Sequence, residues 1–119
     1  MQSQNTKLGT LKKRSEFLHV RGGRYQAIGG IVIQMRAPKT DRDPQAADGI
    51  NVGFTATKKI GNAVVRNRCK RRMRALAREF LPQYGKPGHD YVFIARAKTA
   101  QTPWKNLQKD VKKALLRLA

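Results

Sequence analysis

The sequence predicts an α+β fold in which helices pack on one sheet, and three patterns carry that prediction. Two segments alternate apolar and polar residues as half-buried strands do: Ile31–Arg36, and the run from Ile50 to Thr57 with Ile50, Val52, Phe54 and Ala56 on one face. Between residues 62 and 81, Val65, Cys69, Met73, Leu76 and Phe80 recur at spacings of four, four, three and four, a helical seam. A second seam, Trp104, Leu107, Val111, Ala114/Leu115 and Leu118, marks a C-terminal helix suited to packing on the sheet.

The remaining elements fall between these. Residues 1–9 read as a flexible polar lead-in, and 10–119 as one domain, the natural count for 119 residues. Leu11, Phe17, Leu18 and Val20 suggest a short helix over Leu11–Arg21, ended by Gly22-Gly23. Gly29-Gly30 separates two strands, Tyr25–Ile28 and Ile31–Arg36, and suits a tight hairpin because glycine tolerates positive φ. The second of these strands points Ile31, Ile33 and Met35 one way, and Val32, Gln34 and Arg36 the other. The stretch 37–49, with two prolines and Asp41, Asp43 and Asp48, reads as a solvated loop rather than a metal site. Pro82 is expected to stop the long helix, and Gly85-Lys86-Pro87-Gly88 to turn. Tyr91–Ala95 is apolar on both faces and reads as an interior strand. Thr102 is placed as cap, and Pro103 as the opening residue, of the last helix. The order is α-β-β-β-α-β-α, a two-layer sandwich.

Charge narrows the function. The 26 Lys and Arg against 7 Asp and Glu give +19, which says little about fold and much about partners. Nucleic acid is the leading reading and an anionic membrane surface the second. No apolar run approaches the ~20 residues of a spanning helix. The polar start, Met1 to Thr6, lacks the apolar stretch of a signal peptide, so a cytoplasmic location is expected. Nine cations (Lys58, Lys59, Arg66, Arg68, Lys70, Arg71, Arg72, Arg74, Arg78) fall between positions 58 and 78, with no carboxylate among them. They occupy nearly all the circumference that the apolar seam leaves free. A polyanion is therefore expected to meet a folded surface.

The segment from Gly53 to Arg74 closely resembles the signature of the bacterial ribonuclease P protein subunit, with Arg66-Asn67-Arg68 standing as that family's Arg-Asn-Arg motif. Leu11-Lys12-Lys13 with Phe17 and Val20 is similar to its first helix, Asp90–Arg96 to its last strand, and the Leu107–Leu118 seam to its final helix. The resemblance implies the same element order. It also implies a ribosomal protein S5 domain 2-like topology with a left-handed βαβ crossover, against the usual right-handed rule.

It further implies that the protein assists a catalytic RNA in removing the 5′ leader of precursor tRNA. The RNA would carry the chemistry and bind the Mg²⁺, with no cofactor on the protein and no obligate protein partner. Two surfaces follow. For the catalytic RNA, Arg66, Lys70 and Arg74 step along one helix flank, and Arg68 and Arg72 along the other, joined by Arg71 and Asn67. Arginine can grip phosphate with two donors, and asparagine can read a base edge or a 2′-hydroxyl. Lys58, Lys59 and Asn62 lie where the helix begins, an end that favours phosphate. For the leader, carried-over positions place Phe17, Arg21, Gln34, Arg36, Thr55 and Thr57, with Tyr25, along a cleft between the first helix and the open sheet face. Single strands favour such basic tracks with aromatic platforms. Arg21 and Gln34 stand where relatives commonly have an aromatic, which implies weaker stacking, and Phe17 serves equally well as plain core.

No paired-acid, zinc or P-loop pattern competes. His19 and His89 are isolated, and Cys69 sits on the apolar seam as a small hydrophobe. The rival readings are a ribosomal or other structural RNA-binding protein, which would not need the Lys-Lys-Ile-Gly-Asn to Arg-Asn-Arg spacing, and a protein-only nuclease.

Overall fold

The computed structural model describes residues 8–38 and 49–119. Most of the expected lead-in and the three loop aspartates lie outside them. Among the described residues there are five strands and three α-helices: β1 Leu8–Thr10, α1 Arg14–Arg21, β2 Arg24–Ile28, β3 Ile31–Arg36, β4 Ile50–Thr55, α2 Ala63–Tyr84, β5 Asp90–Ala95 and α3 Trp104–Leu118. A 3₁₀ turn, Lys58–Ile60, links β4 to α2. The strands form one mixed sheet in the order β1-β4-β5-β3-β2. The α+β expectation holds, and β5 is the interior strand its apolar sequence predicts.

Ladder register sorts the side chains into two faces. Ile31, Ile33, Met35, Ile50, Val52, Tyr91, Phe93 and Ala95 share one core with the seams of α2 and α3. Leu11, Val20 and Val92 form a second, smaller core under α1, joined by Phe17 and Ile94. Two helices cover the first face and one eight-residue helix covers part of the second.

Several boundaries differ from the sequence reading, each for a local reason. Leu8 and Gly9, counted in the lead-in, belong to β1, which pairs parallel with β4 (Leu8 opposite Ile50). Three residues are too few for alternation to be recognised. Helix α1 starts at Arg14 because the Glu16 carboxylate accepts the Lys12 and Lys13 N–H groups at 3.1 and 2.9 Å. Pro82 lies inside α2 rather than ending it. In the last turn it removes a single backbone bond, and the helix closes instead through Gly85 N–H on the Leu81 carbonyl at 2.8 Å. The buried stripe accordingly shifts from Phe80 to Ala77 and Leu81. Thr102 does not cap α3. Its hydroxyl donates back to the Lys98 carbonyl, and Pro103 occupies the cap position. Trp104 stays 37% exposed, outside the seam that buries Leu107, Val111, Ala114, Leu115 and Leu118.

The Gly29-Gly30 hairpin forms as expected, with Ile28 opposite Ile31, and Gly29 alone adopts positive φ (+53°). Helix α3 anchors it: the Asp110 carboxylate accepts the Gly30 N–H at 3.0 Å. A Cβ at Gly29 would come within 2.3 Å of that carboxylate. Gly29→Ala is therefore expected to destabilise the fold by about 1–3 kcal/mol. In urea denaturation, part of that loss should be absent when Asp110→Ala is already present, because the clash has been removed. Strict additivity of the two changes would show that the carboxylate is not the obstacle.

Candidate nucleic-acid interface

Helix α2 is fixed by its apolar side. Cys69, Met73, Leu76, Ala77 and Leu81 are buried, and Val65 packs at their margin. Asn62 begins the helix by accepting the Val65 N–H at 3.0 Å on its side-chain oxygen. Its assigned RNA-binding role is thus combined with capping, which leaves its amide N–H₂ for a ligand. Gly61 allows the approach, with φ +151° and Val65 within 2.9 Å of any added Cβ. Burial raises the Cys69 thiol above its ordinary pKa, against the lowering effect of Arg72 and Arg68, so it stays protonated and inert at neutral pH.

The two flanks of cations read from the sequence differ in what their side chains bond. Arg66, Lys70, Arg74 and Arg78 follow one flank, with exposed Asn67 and Arg71 beside them and exposed Lys58 and Lys59 in the preceding turn. Nε of Arg66 is enclosed with no hydrogen-bond partner among the described residues. On the other flank the guanidinium groups are engaged within the protein. Arg72 donates to the Thr99 and Thr102 carbonyls at 2.5 and 2.6 Å, and its guanidinium carbon lies 5.4 Å from the Trp104 ring centre. Arg68 Nε donates to the Ala100 carbonyl at 2.9 Å. Burial, and then the charge of Arg68, lower the Arg72 pKa from the ordinary arginine value.

Arg72 is thus a clamp that joins α2 to the turn before α3. Of the two flanks expected to meet RNA, this one also serves the scaffold: Arg72 spends its guanidinium on two carbonyls, and Arg68 keeps its outer nitrogens for a ligand. Arg72→Ala is expected to cost about 1–3 kcal/mol of stability by orphaning two carbonyls. Arg71→Ala, at an exposed position, should stay within about 0.5 kcal/mol. Thermal denaturation of the two variants checks the contrast, and equal losses would remove the clamp.

Several residues expected to line a cleft fall on the second sheet face. Register places Tyr25, Gln34, Val92 and Gly53 in one row, and Ala27, Val32, Ile94 and Thr55 in the next. The Phe17 ring packs against Gly53, where a Cβ would meet it at 2.5 Å. Phe17, Tyr25, Gln34 and Thr55 are therefore brought to one face, with Tyr25 63% exposed. Thr57 lies just past the end of β4, and Arg21 ends α1, both exposed.

Arg36 is engaged elsewhere: its guanidinium donates to the His19 carbonyl at 2.9 Å. The His19 ring in turn bonds the Ala37 carbonyl at 2.8 Å. Both hold the C-terminal end of α1 against β3. Half-buried Val32 and Ile94 are floor residues that the sequence reading did not name as site residues. The alternation that puts Val32 beside Gln34 could have found Val32. Among the described residues no group of three His, Cys, Asp or Glu could hold a metal ion, and no helix is long and apolar enough to cross a membrane.

A family model described as Ribonuclease P matches residues 6–119. The ribonuclease P protein component of Ruegeria pomeroyi is 47% identical over 112 residues, covering 93% of this chain and 86% of that protein. That of Caulobacter vibrioides is 50% identical over 113 residues, covering 95% and 72%. Among solved structures, the ribonuclease P protein of Thermotoga maritima superposes with a TM-score of 0.74 at 23% identity, covering 92% of this chain and 97% of that one. The Staphylococcus aureus protein gives 0.72 at 23% identity, covering 92% and 94%. Sequence match along nearly the whole chain and a shared fold agree: the chain belongs to the ribonuclease P protein family.

Proposed function

We propose that this chain acts within ribonuclease P by holding the catalytic RNA on the free flank of α2 and the single-stranded 5′ leader of precursor tRNA on the open face of the sheet. The observation that carries this reading is the division of the α2 cations. Among the described residues, Arg66, Lys70 and Arg74 make no side-chain hydrogen bond to a carbonyl, while Arg72 is committed to the scaffold. Held on a buried seam, the free flank presents charge with little reorganisation on binding, which favours phosphate. Arg71 and Asn67 add donors that can reach a base edge or 2′-hydroxyl.

The leader face supplies a different chemistry. Phe17 and Tyr25 offer aromatic surfaces, Gln34 and Thr55 offer hydrogen bonds, and Arg21 stands at the end of α1. That combination suits an extended, unstacked strand better than a duplex. In this reading the RNA holds the metal and carries out the hydrolytic step. The protein's contribution is binding, orientation and charge neutralisation. A cytoplasmic location follows from that partnership.

The test is removal of the leader from a precursor tRNA by a bacterial catalytic RNA at low Mg²⁺. Adding this protein should accelerate cleavage, and no acceleration would overturn the proposal. If about 6–10 phosphates are neutralised, affinity for the RNA should fall roughly 10³–10⁵-fold between 50 and 200 mM salt. Arg71→Ala with Arg74→Ala should weaken assembly with the catalytic RNA, whereas Phe17→Ala should mainly reduce discrimination of precursor from mature tRNA. Equal loss of both properties in each variant would contradict the two-surface division.

A further inference from the structure

One cavity lies at the sheet edge, where the free flank of α2 and Phe17 of the α1 face approach each other. At the sheet edge, β1 pairs with β4 only as far as Thr10 opposite Val52, and the Leu11 N–H then bonds the Val52 carbonyl at 3.0 Å before the chain leaves for α1. Beyond that point no strand among the described residues covers the outer edge of β4. A cavity of about 380 Å³ opens there between β1, β4 and α2. Its inner wall is apolar and aromatic, with Phe54, Val52, Leu8 and Ala77, and Phe17 reaches it from the other sheet face. Its lip is Lys70, Arg74 and Arg78, three cations one helical turn apart. Among the described residues no carboxylate lines it.

We propose that this cavity receives one unpaired nucleotide, its base inserted against Phe54 and its phosphate held by Lys70, Arg74 and Arg78. The inference rests on the RNA-binding reading above and adds a site to it. Three features select this occupant. The volume falls in the range of small-ligand sites. The Phe54 ring is backed edge-on by Phe93 at 5.9 Å, and the Arg74 guanidinium stands 6.0 Å from its centre, so aromatic surface and cation adjoin. Alternation along the strand turns the Phe54 N–H and C=O to the same open edge as the Val52 carbonyl, offering a donor and an acceptor to a base. A bare anion would leave the aromatic wall unused, and an apolar ligand would leave three cations unanswered.

The full chain is titrated with adenosine 5′-monophosphate, adenosine and inorganic phosphate, each followed by backbone amide NMR. The monophosphate should bind at least about tenfold more tightly than either component, with shifts at Gly9, Thr10, Phe54 and Ala77. Arg78→Ala, at an exposed helix position, should lower its affinity severalfold with the fold intact. Thr10→Trp, which fills the mouth from an exposed position, should abolish binding.

Equal affinity for phosphate and the monophosphate, or shifts confined to the α1–β3 face, would overturn the proposal. In the assembled enzyme, Thr10→Trp should weaken either the catalytic RNA itself or only leader-bearing precursor, which identifies the strand that supplies the nucleotide. No effect on either would refute use of the cavity by RNA. Failure here leaves low-Mg²⁺ stimulation by the wild-type chain intact, whereas failure of the functional reading leaves monophosphate binding intact.

Discussion

The burial of one side of α2 is the constraint on which the molecule depends. Cys69, Met73, Leu76, Ala77 and Leu81 are removed from water against β4, β5 and α3. Fully burying a large apolar side chain contributes about 1.5–3 kcal/mol. Like charges one turn apart oppose this, at Arg66–Lys70, Lys70–Arg74, Arg74–Arg78 and Arg68–Arg72. Each such exposed pair costs only about 0.2–0.5 kcal/mol. Burial therefore wins by a wide margin, and the repulsion remains as a surface field instead of unfolding the helix. The basic surface is a consequence of packing on the opposite side.

The same comparison explains what could be read in the sequence. The seam of α2, the alternation of β3 and β4 and the apolar β5 are repeated signals, and the structure keeps each except at its end: Phe80 yields to Ala77 and Leu81, and β4 stops at Thr55, two residues before the expected Thr57. Single-residue rules fared less well. Pro82 breaks helices when its missing N–H falls in an interior turn, and here it falls in the last one. Trp104 has the spacing of a core residue but stands at the first helical position, where Arg72 covers its ring. β1 was not legible because its pairing is decided by the edge of β4, more than forty residues away in the chain.

The destinations of the cations were the least legible part of the site. Charge counting treats Arg68, Arg71, Arg72 and Arg74 alike, and only tertiary structure shows which meet carbonyls. Arg72 and Arg68 stitch the turn before α3, Arg36 holds the end of α1, and Arg24 bonds the Leu118 and Arg117 carbonyls at the end of α3 at 3.0 and 3.1 Å. Two of these sites are helix C-termini, where unpaired carbonyls and the helix dipole both attract a cation. A strongly basic chain thus uses part of its charge as internal fastening. The remainder is what a polyanion meets.

Strand β4 joins the two faces of this design. Gly53 faces α1 and lets the Phe17 ring lie on the backbone, while the next residue, Phe54, faces α2 between Phe93 and Arg74. Consecutive residues of a strand point to opposite sides, so a shift of register by one position would exchange them. A side chain at 53 would displace Phe17, and a polar residue at 54 would remove the ring beside Arg74. The face beneath α1 and the basic flank are therefore not independent modules on a neutral frame. Their alignment is set by the pairing of β4 with β5, which places Gly53 opposite Val92 and Phe54 opposite Phe93.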